Sequence, residues 1–270
     1  MSDAWLSPDW PAPGNVRSLI TTREGGVSLA PFDGLNLATH VGDDAGAVAS
    51  NRALLTRRCG AQPVWLEQVH GTGVVELDKS SVAAAVPVAD AAVSRSPGLA
   101  CAVLTADCLP VLLCDRAGTV VAAAHAGWRG LAAGVLEQTV ERMHVKPRDL
   151  LAWLGPAIGP QAFEVGDEVR ALFMASDPAA KHAFVATGKP GKWLADLFML
   201  ARQSLLRAGV GWVAGGDICT FTGHRLFYSY RREGITGRFA SLIWLDDQAP
   251  VALSGAQKVT DSVDGSEDAY

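Results

Sequence analysis

The chain contains no block of lysine and arginine, no CxxC pair, no His-x-His pair and no secretion-type leader. Each gap narrows the function. Without a basic cluster or a nucleic-acid motif, and with a formal charge of −5, nucleic acids and anionic membranes are poor partners, because both are polyanions. Gly, Asp, Arg or Pro interrupts every apolar run before the roughly 18 residues that a membrane span needs. The opening "MSDAWLSPDW" has neither the basic nor the apolar region of a signal peptide, which points to the cytoplasm. Five widely spaced cysteines, an odd number, fit reduced thiols in that compartment. The missing CxxC argues against a structural zinc closed by four ligands. Six histidines without a His-x-His pair are too few for a multicopper oxidase.

What remains is an ordinary globular composition, 49% apolar and 19% charged over 270 residues. No repeat or long linker divides the chain, so residues 1–245 are expected to form one compact α+β domain. The acidic stretch 246–270 is expected to be disordered. "VRSLITT" predicts a strand and "GDDAGAVASNRALLTRRCG" a helix with an acidic start and a basic end. "PVWLEQVHGTGVVEL" predicts two short strands broken at His70-Gly71. In "GWRGLAAGVLEQTVERMH", Leu131, Val135, Leu136, Val140 and Met143 fall on one helical face. "KWLADLFMLARQSLLRAG" predicts a helix ending at Gly209, and "TFTGHRLFYSYRREGITGRFASLIWL" two last strands around a polar loop.

The stretch Thr105–Gly130, "TADCLPVLLCDRAGTVVAAAHAGWRG", is a buried-strand composition with Asp107, Cys108, His125 and Arg129 at its two ends. "DRAG" suits a tight turn. A register pairing Cys114 with Thr119 also sets Cys108 opposite His125, with Cβ atoms about 5 Å apart. Such a pair can bind one metal ion or act as nucleophile and base. Pro110 threatens this register, since it cannot donate a ladder hydrogen bond and can mark a bulge. His70, at a strand end before Gly71, adds a third donor, and two His with one Cys suit a zinc ion with an open fourth position. Cys59, Cys101, Cys114 and Cys219 read as structural. Among the other histidines, His40 is a better candidate for chemistry than His144, His182 or His224.

The motifs "TTREGGVS", "GLNLATHVGDD", "WLEQVHG", "TADCLPVLL", "AAAHAGWRG", "WLGPAIGPQAFEVG" and "YSYRREGITGRFASLIWL" closely resemble the YfiH family, also called laccase-domain or polyphenol-oxidase proteins. The resemblance runs in order from Val16 to Leu245 and is close to the enterobacterial type in particular. It implies a single α+β domain of layered mixed sheets flanked by helices, related to a cysteine-hydrolase-like group. It also implies one zinc site on His70, Cys108 and His125. The implied activity is phosphorolysis of adenosine, inosine and S-methyl-5′-thioadenosine to free base and sugar phosphate, together with adenosine deamination.

On that reading Cys108, His125 and Asp107 are the catalytic candidates. Asp107 would serve as acid or base only if the strand end turns it inward, and otherwise stabilises the turn. Phosphate calls for arginine: Arg23 and Arg129 first, the latter just ahead of a helix start, then Arg231 and Arg238. Asn36, His40 and Gln68 are candidates for binding base or ribose. Two other enzymes remain open: a metal-free Cys-His amidohydrolase editing peptidoglycan precursors, and a copper-dependent phenol oxidase. So does a domain whose zinc only holds strand ends together. A monomer or homodimer is expected.

Overall fold

The computed structural model of the chain describes residues 5–247. The expected disordered tail therefore lies outside the described residues except for its first two. Of these, Asp246 is held: its amide donates to the Asn15 carbonyl at 2.7 Å and its carboxylate meets Arg17 at 3.0 Å.

The first half of the chain forms β1 (Val16–Ile20), α1 (Ala45–Cys59), β2 (Gln62–Val64), β3 (Val74–Leu77), β4 (Ala91–Ser94), β5 (Leu99–Thr105), β6 (Leu109–Asp115) and β7 (Val121–Ala126). Next come α2 (Trp128–Ala133), α3 (Val135–Arg142), β8 (Leu150–Leu154), β9 (Glu164–Gly166) and α4 (Asp167–Ser176). The chain closes with β10 (Phe184–Ala186), β11 (Lys192–Ala195), α5 (Leu197–Arg207), β12 (Trp212–Gly215), α6 (Tyr230–Glu233) and β13 (Phe239–Leu245). Asp44 caps α1 by accepting from the Ala47 amide, and Gly60 ends it in the left-handed region at φ 68°.

Two mixed sheets lie face to face between helices. The larger runs β12-β8-β6-β7-β4-β3 and the smaller β1-β13-β5-β2. Along β6 and β7, Val111, Leu113, Ala122 and Ala124 face a core shared with α2, α3 and α5. The alternate residues Leu112, Cys114, Val121 and Ala123 face the smaller sheet. That sheet turns Ala100, Ala102, Leu104 and Leu242 toward Leu55 of α1. Burial on both faces explains why these strands read as unbroken Val, Leu and Ala rather than as alternation. A short third sheet, β10-β11-β9, flanks α4. The architecture is thus the expected α+β domain of layered mixed sheets.

Several local expectations change. Cys114 pairs with Val121, not Thr119, and His125 pairs with Pro110, not Cys108. The cause is Asp115, whose carboxylate accepts from the Thr119 and Val120 amides at 2.7 and 3.0 Å and lengthens the loop. No bulge forms at Pro110. Its carbonyl points to Gly155 on the β8 side, so its missing N–H costs the β6–β7 ladder nothing. The helix expected over 127–144 breaks at Gly134, φ 97°, yet all five residues of its predicted face are buried. Lys192–Ala195 is a strand paired with β9 and β10, and the helix begins only after Asp196. Of the two last strands only β13 forms; 220–229 is held irregularly by Arg232, which donates to the carbonyls of Thr220, Phe221 and Phe227 at 2.7 Å each.

Candidate metal centre and its cavity

His70, Asp90, Cys108 and His125 lie at one end of four adjacent strands. Cys108 immediately precedes β6, His125 is near the end of β7, Asp90 precedes β4, and His70 lies a short turn before β3. Asp90 is fully buried, and its carboxylate organises the rest. It accepts from the amides of Gly71 at 2.6 Å, His70 at 2.9 Å and Val69 at 3.3 Å. This curls the backbone around the anion and holds His70 at φ 60°. The other contact of the same carboxylate is His125 Nδ1 at 2.8 Å, which leaves Nε2 of that ring for the cavity.

The two imidazoles meet edge to face, with ring centroids 4.8 Å apart, and Cys108 Sγ lies 3.7 Å from His70 Nε2. Gly127 leaves the room for this. A Cβ there would sit 3.0 Å from both Cys108 Sγ and His70 Cδ2. Burial opposes ionisation of the Cys108 thiol, but the charge of His125 and hydrogen bonds from His125 and His70 outweigh it and bring the thiol to about 6. Burial likewise opposes charging His125, and is outweighed by the Cys108 sulfur and the Asp90 hydrogen bond, which raise it to about 9. Asp90 is held below the usual carboxylate range: burial works against this, but the bonds from His125, Gly71 and His70 prevail.

The three donor atoms lie within 4.8 Å of one another, and among the described residues this is the group of His, Cys and acidic side chains placed to hold a metal ion. The donor set fits one. Tetrahedral zinc separates sulfur and nitrogen ligands by about 3.6 Å, close to the Cys108–His70 spacing. The sulfur is already stabilised as the anion that binds metal. Three protein ligands leave one position free.

The cluster opens into a cavity of about 430 Å³. Leu104, Ala106, Ile158 and Phe163 supply an apolar wall, and His40, Gln68, Tyr230, Arg231 and Arg238 the polar rim. Burial, then the nearby Arg238 and Arg52, lower the pKa of His40, so it is neutral at pH 7. The Gln68 amide clamps Leu104, donating to its carbonyl and accepting from its N–H at 2.8 Å each. Neither Arg231 nor Arg238 has a carboxylate within ion-pair distance among the described residues. Arg238 donates to the carbonyls of Thr236 and Gly237, and Arg231 to that of Glu164.

Three candidates lie away from this cavity. Arg23 is consumed by Asp33 at 3.0 Å and Glu233 at 2.7 Å, with its guanidinium over Tyr228. Arg129 sits within α2, not ahead of it, and is exposed and stacked on Trp128. Asn36 is fully buried and spends its amide on Ala38, Asp43 and the Arg238 backbone. Asp107 does line the cavity, at φ 90°, with its carboxylate turned to Thr220, Ser229 and Arg231. Sequence reasoning missed Asp90, Phe163 and Tyr230. Asp90 had a readable signal: in "PVADAAVS" a lone carboxylate stands among small apolar residues at a strand start, and such a buried charge requires partners.

A family model described as multi-copper polyphenol oxidoreductase laccase matches residues 17–246. The chain is 59% identical over 245 residues to a purine nucleoside phosphorylase of Pseudomonas aeruginosa, covering 91% of this chain and 100% of that one. It is 55% identical over 242 residues to purine nucleoside phosphorylase YfiH of Escherichia coli, covering 89% and 98%. Among solved structures, a Neisseria meningitidis protein superposes with a TM-score of 0.87 at 54% identity, covering 90% of this chain and 99% of that one. YlmD from Geobacillus stearothermophilus gives 0.86 at 33% identity, covering 92% and 98%.

Proposed function

The chain belongs to the multi-copper polyphenol oxidoreductase laccase family, and from that premise, with relatives named purine nucleoside phosphorylase, we propose that it is a zinc-dependent purine nucleoside phosphorylase. Its substrates are adenosine, inosine and S-methyl-5′-thioadenosine. One observation carries this reading: the His70–Cys108–His125 group opens onto a cavity whose rim holds two arginines with no acidic ion-pair partner among the described residues. The volume falls in the range of small-molecule sites.

In phosphorolysis a phosphate oxygen bonds to ribose C1′ as the bond from C1′ to the purine nitrogen breaks. The bonding electron pair leaves with the base, and the base takes up a proton. Arg231 and Arg238 bind the phosphate, in place of the Arg23 and Arg129 first expected, because guanidiniums not neutralised by a carboxylate among the described residues match phosphate oxygens. Phe163 and Tyr230 flank the purine, and neutral His40 hydrogen-bonds to base or sugar. His70, Cys108 and His125 would hold the ion, with Asp90 fixing the His125 ring. Zinc, when bound, supplies a Lewis acid that polarises oxygen and lowers the pKa of water, the chemistry that adenosine deamination also requires.

The test is metal analysis of freshly purified protein paired with a phosphate-dependent assay for free adenine or hypoxanthine. Cys108→Ala is expected to lose both metal and turnover. Stoichiometric zinc with full phosphorolysis in that variant refutes the assignment. The same analysis decides between zinc and copper.

A second reading has its own observation. Cys108, His125 and Asp90 are arranged as thiolate, imidazole and orienting carboxylate, as in a Cys-His hydrolase. Chelation separates the two: it abolishes phosphorolysis and spares an amidase that alkylation of Cys108 kills.

A further inference from the structure

Asp107 occupies the turn that carries the chain from β5 in the smaller sheet to β6 in the larger, one residue before Cys108. Its φ of 90° is costly for a residue with a side chain, and such a conformation persists only where surrounding contacts hold it. Those contacts are long-range. The Asp107 carbonyl accepts from the Ile158 amide at 2.9 Å. Oδ1 accepts from the Thr220 hydroxyl at 2.6 Å, and Oδ2 from the Ser229 hydroxyl at 3.0 Å and the Arg231 amide at 2.7 Å. Asp107 is 9% exposed. Both acceptor directions of Oδ2 are filled and Oδ1 is bonded to the Thr220 hydroxyl, so the carboxylate is committed to holding its neighbours in place.

We propose that Asp107 is a positioning residue that fixes Tyr230 and Arg231 relative to the neighbouring Cys108, and not an acid or base. The proposal rests on the phosphorylase reading for the identity of the anion that Arg231 meets. It follows from covalent adjacency: the residue that donates sulfur to the centre is bonded to the residue that tethers the arginine-bearing segment. The distance between metal and anion subsites is thereby set by one carboxylate. The Arg231 guanidinium itself donates to the main-chain carbonyls of Ala162 and Glu164 and lies 5.4 Å from the Phe163 ring centroid. A shift of about 1 Å in a positioning group costs on the order of a hundredfold in rate.

Two substitutions separate the roles. In Asp107→Asn the amide nitrogen replaces Oδ1, and the Thr220 hydroxyl turns round to donate elsewhere and accept from it. The remaining oxygen still serves Ser229 and Arg231. A positioning role therefore leaves this variant within about threefold of the unmodified protein, with an unchanged pH profile, since hydroxyls reorient freely. Asp107→Ala removes all three bonds. It is expected to keep stoichiometric zinc while KM for phosphate rises about tenfold or more, with a smaller effect on kcat. Its calorimetric affinity for inorganic phosphate falls in parallel, and amide exchange at Arg231 accelerates.

Loss of turnover by a hundredfold or more in Asp107→Asn, with one limb of the pH profile gone, overturns the proposal. So does an Asp107→Ala variant with normal phosphate affinity. Should Asp107→Ala not fold, Thr220→Val combined with Ser229→Ala removes two of the three bonds and must move phosphate KM in the same direction; no movement overturns the proposal. An unmodified protein that binds phosphate yet releases no base removes the phosphorylase reading, and the phosphate affinities and exchange rates of the variants still decide the role of Asp107.

Discussion

Replacing Asp90 by alanine strands four donors at once. The amides of Gly71, His70 and Val69 and Nδ1 of His125 all end on this one carboxylate, at 2.6, 2.9, 3.3 and 2.8 Å. A buried donor left without a partner costs about 1–3 kcal/mol. The four do not add, because they share one acceptor and the turn around Val69 and His70 is exposed and can admit water. Breaking a buried charged pair from one side costs about 3–5 kcal/mol, which sets the scale here. For a chain of this size that lowers Tm by roughly 10 °C. Metal binding suffers separately. Freed from Asp90, His125 can rotate or take the other tautomer, and losing such an orienting partner weakens metal affinity about 10–100-fold, or about 1.4–2.8 kcal/mol. Thermal melting of the metal-free protein and competition with a chromophoric chelator measure the two effects independently. An Asp90→Ala protein that holds zinc as tightly as the parent defeats the reasoning, whatever happens to its Tm.

Gly127→Ala places a methyl group 3.0 Å from Cys108 Sγ and His70 Cδ2, so at least tenfold weaker metal binding is expected, on the scale of a displaced ligand, with a small change in melting temperature; the same chelator competition reads it. Glu233 is opposed by burial, yet hydrogen bonds from Thr236, Arg232 and Arg23 bring it from 4.5 to about 2. A depressed carboxylate stabilises the fold fully above its unfolded value and loses that contribution as pH falls toward the folded one. Glu233→Gln should therefore flatten the acid limb of stability between about pH 4.5 and 2 in denaturant titrations; an unaltered limb counts against the ion-pair account. Leu113 is fully buried between sheet and helices, and Leu113→Ala should cost about 2–5 kcal/mol in urea unfolding, with less than that assigning the site to a loosely filled region.

The layered α+β arrangement was legible because run length and periodicity carry burial directly, β6 and β7 showing it as unbroken apolar runs. The helical face from Leu131 to Met143 was legible for the same reason, even though Gly134 divides it. What escaped depended on side chains folding back on their own backbone. Asp115 lengthens a loop and shifts the strand register, and no periodicity announces that. The three donors His70, Cys108 and His125 do come together, but by a route different from the one first reasoned. Cys108 reaches His125 from beyond the ladder, opposite the small Gly127, instead of sitting across from it. Placement of the arginines was the least readable feature. Arg23 and Arg231 both lie in distinctive motifs, and only the arrangement of distant acids shows that Arg23 is neutralised by Asp33 and Glu233 while Arg231 faces the cavity.

β13 is the final strand of the described chain, yet it occupies an interior place, paired on one side with β1 and on the other with β5. During synthesis β1 must wait until the other described strands have been made before its partner β13 emerges. The smaller sheet then closes by insertion of the newest segment between two older ones. Such late, non-local pairing slows folding and exposes strand edges meanwhile. A premature stop that removes Phe239–Leu245 would sever β1 from β5 and abolish the domain rather than trim it.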